Sequence, residues 1–167
     1  MELASRFKRW VAAIIDNLIS IVIMFIIAFF VAFIEMYSRN WVNIDNIEND
    51  PVYLIKSSVI SMIVLMIYFA FFESSKHSAT PGKMIFKIRV LTKDNHKLKF
   101  WQSCVRFWLL QVPFIPYTIS GYFLIPYQLI ITTILVLIWF GPVYFTKERK
   151  CVHDILSGTK VVKVAKK

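Results

Sequence analysis

Three long apolar runs set the pattern of this chain. Residues 11–34 hold one charge, Asp16, and residues 53–72 hold one, Lys56; residues 107–146 hold none. About 20 helical residues, at about 1.5 Å each, cross a hydrocarbon core of about 30 Å. The first two runs are therefore one span each, and the third is long enough for two. Pro113, Pro116, Gly121 and Pro126 interrupt it near its middle, and Pro both removes a backbone donor and disfavours helix in the residue before it. The pattern predicts spans at about 11–34, 53–72, 101–118 and 124–146, with a tight turn near 118–123. The arm at 101–118 is short and Pro-rich, so three spans plus a re-entrant segment is the competing reading.

The polar stretches carry signals of their own. Thr80-Pro81-Gly82-Lys83 offers a helix start, with Thr as N-cap and Pro at the first helical position. Ile88-Arg89-Val90 alternates, a polar cluster follows at 92–96, and Lys97-Leu98-Lys99-Phe100 alternates again, which reads as a small β-hairpin. Strand-forming residues at 159–164 are a further partner for it, and two strands alone are marginal. The expected fold class is an all-α membrane protein: a four-span helical bundle with a small cytoplasmic β-hairpin element. Residues 1–167 form one domain, with a basic loop at 74–100 and a tail at 147–167.

Composition supports the membrane class. Hydrophobic residues make up 57% of the 167 and charged residues only 18%, against about 25% charged in soluble domains. A net charge of +10 would point a soluble protein towards nucleic acid. Here the positions of the cations give another answer. Eighteen of the twenty Lys and Arg lie in the N-terminal segment, the loop at 74–106 and the tail, whereas the loop at 36–52 holds Arg39 alone. Cations gather on the cytoplasmic side of spans, so both termini are expected there, in the cell (inner) membrane, with no nucleic-acid partner. Anionic headgroups attract such residues by about 1 kcal/mol each. Cys104 and Cys151 then face a reducing compartment. The run at 17–34 exceeds the apolar length of a signal peptide and reads as a retained anchor.

Asp16 is the most informative residue. A carboxylate inside a span costs roughly 2.5–3.5 kcal/mol on insertion scales and normally finds a partner. Asn17 widens the polar spot. Arg9 lies seven residues earlier on the same helical face. Arg106, at the entrance of the third span, is at the depth to reach Asp16, and His153 and Asp154 are placed to reach Arg9. Glu35, Glu73 and Lys56 sit at span ends and are expected to be solvated. Cys151, His153, Cys104 and His77 supply zinc-type ligand atoms, but their spacing fits no paired metal pattern. No phosphate loop and no hydrolase or protease motif is present. No metal, cofactor or catalytic residue is expected. Ser57, Ser58 and Ser61 read as helix-packing residues, and Trp10, Trp41, Trp101 and Tyr144 as interface anchors.

Together these residues resemble the RDD family of bacterial membrane proteins. Arg9 seven residues before Asp16 matches the family's first motif, and Thr80-Pro81-Gly82-Lys83 leading to Arg89-Val90 its middle one. Arg106 follows, then His153-Asp154 with Gly158-Thr159 and apolar residues. Asn95-His96 departs from the family, which often has Gly in that turn. The resemblance implies an integral membrane fold and no defined activity. Two readings follow, neither of them enzymatic. In one, a small transport-related protein binds a proton or cation at Asp16; its size predicts a homo-oligomer. In the other, the ion pairs are structural, and the basic loop of an accessory subunit docks a protein partner or anionic lipid headgroups of the bilayer.

Overall fold

The computed structural model describes residues 2–38, 51–116 and 127–164. Helix α1 (Arg6–Ser38) runs for 33 residues and is followed by α2 (Pro51–Ser74). A short helix α3 (Pro81–Ile85) leads into strand β1 (Ile88–Thr92). Helix α4 (Phe100–Gln111) continues through a 3-10 turn (Val112–Phe114). Then come α5 (Gln128–Phe140), α6 (Pro142–Phe145), α7 (Val152–Leu156) and strand β2 (Thr159–Lys163).

Among the described residues, three helical stretches are long and apolar enough to cross a membrane: Arg6–Ser38, Ile55–Ser74 and Gln128–Phe145. Their outer faces are apolar. Phe25, Phe29, Phe71, Leu129 and Leu137 are each more than three-fifths exposed, as lipid-facing side chains must be. Among the anchors expected from sequence, Trp10, Trp101 and Tyr144 are exposed; Trp41 and the turn near 118–123 lie outside the described residues. Trp139 Nε1 donates to the Leu109 carbonyl at 3.0 Å, which ties α5 to the end of α4. The expected span at 101–118 is not among the three, because the helix there gives way to a 3-10 turn at Val112–Phe114, with Pro113 inside it.

The polar segments fold against one end of this bundle. β1 pairs antiparallel with β2, Val90 opposite Val161 and Thr92 opposite Thr159. The N-terminal segment lies along the other edge of β2: Ala4 N–H donates to Val161 at 3.1 Å and Lys163 N–H to Glu2 at 3.0 Å. Ala4, Ala12, Ile88, Val90, Leu98 and Val161 form a small core there. The first turns of α1 thus belong to this module. That is why α1 is about 50 Å long, well over the thickness of a bilayer; residues 17–38 alone span about 33 Å.

The expected hairpin is corrected. Its first arm is β1, but Lys97–Phe100 forms no strand; only a single bridge joins Leu91 to Lys97, and α4 has begun by Phe100. Loop chemistry decided this. Gln102 Oε1 accepts from the Lys99 backbone N–H at 2.8 Å and starts the helix, leaving β1 to pair with the tail. Asn95 takes a left-handed φ of 65° in the turn, a conformation Asn tolerates better than most residues, so the departure from Gly is accommodated.

Candidate functional site

Where the module meets the bundle, the charged residues singled out from sequence converge in two adjoining clusters. The first surrounds Asp16, which is buried. Its carboxylate accepts from the Thr80 hydroxyl and, at 2.8 Å, from the Gly82 backbone N–H. Ser20 Oγ donates to the Asp16 carbonyl at 2.8 Å. Asp16 therefore caps the start of α3 from another helix, so the carboxylate faces the positive end of the peptide dipoles. Each residue of the 80–83 stretch has a part. Thr80 donates its hydroxyl to Asp16 rather than capping its own helix. Pro81 fixes the first helical φ. Gly82 donates its N–H, and a Cβ there would collide with the Ala12 carbonyl and lie 2.8 Å from Asp16 Oδ1. Lys83 reaches across to Glu73 at 2.6 Å.

The second cluster is a chain of alternating charges: Lys83, Glu73, Arg106, Asp154, Arg9. Glu73 Oε1 accepts from Lys83 Nζ and, at 2.8 Å, from Arg106 Nη1. Arg106 Nη2 donates to Asp154 Oδ1 at 2.7 Å, and its Nε to Thr159 Oγ1 at 3.2 Å. The other Asp154 oxygen accepts from Arg9 and from the Cys151 N–H at 3.3 Å. Arg9 also donates to the Arg149 carbonyl. Glu73, Arg106 and Asp154 are all buried, so α1, α2, α3, α4 and α7 are tied through one network. Gly158 closes α7 with a φ of 65°, where a glycine carries no steric cost; this turns the chain into β2 and places Thr159.

Burial alone would raise the Asp154 carboxyl, but Arg106, His153 and Arg9 together hold it well below the usual carboxylate range. Burial lowers His153, and Asp154, 3.3 Å from its Nε2, only partly restores it. His153 Nδ1 is buried without a hydrogen-bond partner, which places the ring proton of the neutral form on Nε2 facing Asp154. Burial pushes the Cys151 thiol up to about 11.

Several expectations change. Arg106 does not meet Asp16. It faces α2 and α7, where two carboxylates compete for it, while Asp16 is served by neutral donors. Asn17 points outward. Glu73 is not solvated: it is 2% exposed, because two cations converge on it from α3 and α4. Glu35 and Lys56 pair with each other at 2.6 Å across α1 and α2. The expected link from Arg9 to Asp154 is present. Ligand atoms of Cys151, His153 and Asp154 lie within 4.8 Å of one another, and Cys104 and His77 are not in the group. The Asp154 carboxylate does not suit a metal: both of its oxygens are held by arginines.

The RDD family model matches residues 3–158. The chain belongs to the RDD family. No curated protein and no solved structure matches it. With its apolar helices, membership makes this a transmembrane protein. Of the residues by which the RDD resemblance was read, Arg9, Asp16, Thr80 to Lys83, Arg106, His153, Asp154 and Thr159 lie in these two adjoining clusters, and Arg89 and Val90 lie in β1. Sequence reasoning missed the place of Glu73 in the network. The signal for Glu73 was there: an acidic residue closing an apolar run, with a conspicuously basic loop after it.

Proposed function

We propose that this RDD protein is a non-catalytic membrane accessory or interaction subunit. Four spans anchor a basic cytoplasmic module, and the buried ion chain holds that module in one shape. The observation that carries the reading is internal pairing: Asp16, Glu73 and Asp154 are buried and each already accepts at least two donors from the protein itself. Carboxylates held this way by the protein's own donors are committed to the fold, which favours a structural role over uptake and release of a proton or cation.

Parity supports reading four crossings. The N-terminal segment, the loop carrying β1 and the tail carrying β2 are hydrogen-bonded together, so they share one side. An even number of crossings fits that arrangement, and with the three candidate spans this favours the four-span reading. The charge bias supports the cytoplasm as that side.

The test is proton and monovalent-cation flux in proteoliposomes, wild type beside Asp16→Asn, with unfolding midpoints measured on both. The expected result is no flux in either and a variant less stable by about 1–3 kcal/mol, the usual cost of a buried donor left unmatched. Flux that disappears in a well-folded variant overturns this reading and makes Asp16 a transport site.

A further inference from the structure

A cavity of about 530 Å³ opens between the loop after α6, the start of β2 and the turn after β1. Lys93, Lys147, Lys150 and Lys160 line it, with Glu148 as the one carboxylate in its wall. Lys150 is spent on Glu148. Among the described residues, Lys93, Lys147 and Lys160 have no carboxylate paired to them. Glu148 is nonetheless surrounded: the Lys150 hydrogen bond first, then its charge and those of Lys160 and Lys93, hold its carboxyl below the ordinary value. The cavity thus carries an excess of three positive charges.

The wall is held in place by its own hydrogen bonds. Lys93 N–H donates to the Gly158 carbonyl at 3.0 Å, and Lys160 Nζ to the Lys93 carbonyl at 2.7 Å. Lys150 N–H donates to Thr146 Oγ1 at 3.0 Å. The position of the cavity narrows the ligand. Thr146 lines it and directly follows Phe145, the last residue of a membrane-crossing stretch. Ile155 also lines it, and Ile155, Leu156 and Phe145 are exposed apolar residues. Uncompensated ammonium groups therefore sit at the depth where hydrocarbon gives way to headgroups, with apolar side chains beside them. A soluble anion would use the charges but not the apolar rim. A lipid uses both.

We infer that this cavity binds the phosphodiester headgroup of an anionic phospholipid, with a two-phosphate headgroup preferred over a single one. The inference rests on reading the basic face as an interaction surface, and it names both the place and the ligand.

The test is native mass spectrometry of the full chain released from detergent, with cardiolipin, phosphatidylglycerol or phosphatidylcholine titrated in. Cardiolipin is expected to bind tightest and phosphatidylcholine weakest. Lys93→Gln/Lys147→Gln/Lys160→Gln should weaken cardiolipin roughly 100-fold, at about 1 kcal/mol per cation. Lys87→Gln/Lys97→Gln/Lys99→Gln removes the same charge from exposed positions outside the cavity and should change affinity by less than about twofold, since the lost contacts are not local ones. Ile155→Glu keeps every lysine, sets a carboxylate at the cavity and should also weaken binding, which covers the case of a misfolded triple variant. Equal weakening by both triple variants would overturn the cavity and leave a diffuse basic surface. Displacement of the lipid by inorganic phosphate at equal concentration would assign the cavity to free phosphate instead. Cation flux would sink the accessory reading without touching this result.

Discussion

Arg106 carries three contacts with one planar side chain, and that is why lysine is a poor substitute. A single ammonium cannot serve Glu73, Asp154 and Thr159 together. Arg106→Ala would leave two buried carboxylates facing each other and should cost about 3–5 kcal/mol; Arg106→Lys should fall between that and wild type. Thermal unfolding in detergent reads both. Gly82→Ala should cost about 1–3 kcal/mol by overpacking against Ala12 and Asp16, measured the same way. His153 sets a pH dependence. Its folded value lies below its unfolded one, so the unfolded chain binds more protons between the two, and stability falls as pH drops below about 6.5. Asp154, also depressed, adds a loss only below about pH 4. The unfolding free energy should therefore decline between pH 7.5 and 5.5 by at most about 1.4 kcal/mol per unit, and His153→Phe should flatten that slope. The residues themselves were legible in the sequence. Their pairing was not, because Arg106 chooses among Asp16, Glu73 and Asp154 by distances that only the packed helices define.

At the scale of elements, long apolar runs were easy to read because their period needs no tertiary information. The helix start at Thr80-Pro81 was also local, and it stands where expected. The hairpin failed because β1 has two sequence-compatible partners, and the nearer one, 97–100, is drawn into α4 by the Gln102 cap. The tail strand wins by completing the small core around Val90 and Val161. Truncation after Gly158 should therefore open the module. Limited proteolysis should then cut between residues 87 and 99 in the truncated protein and spare that stretch in the intact one.

Across the whole molecule, three segments far apart in sequence meet on one side of the bundle. That geometry predicts their labelling. In a cysteine-free background, Lys97→Cys and Lys163→Cys should both resist an impermeant thiol reagent in intact cells and react after permeabilisation. Labelling of only one in intact cells would break the shared side, and labelling of both would overturn the proposed cytoplasmic placement.

The contact between Glu2, Ala4 and the last strand also orders events during synthesis. Ribosomes add about 5–20 residues each second, so the first residues wait roughly 8–30 seconds for Val161 and Lys163 to emerge. Until then Arg9, and Arg106 once it is made, lack Asp154, and the edge that receives the N-terminal segment does not yet exist. The helices can enter the bilayer early, but the module closes only after residues 154–163 have been made and have left the ribosome. A nascent chain stalled before Asp154 is thus inserted yet unlatched, its arginines exposed at the membrane surface.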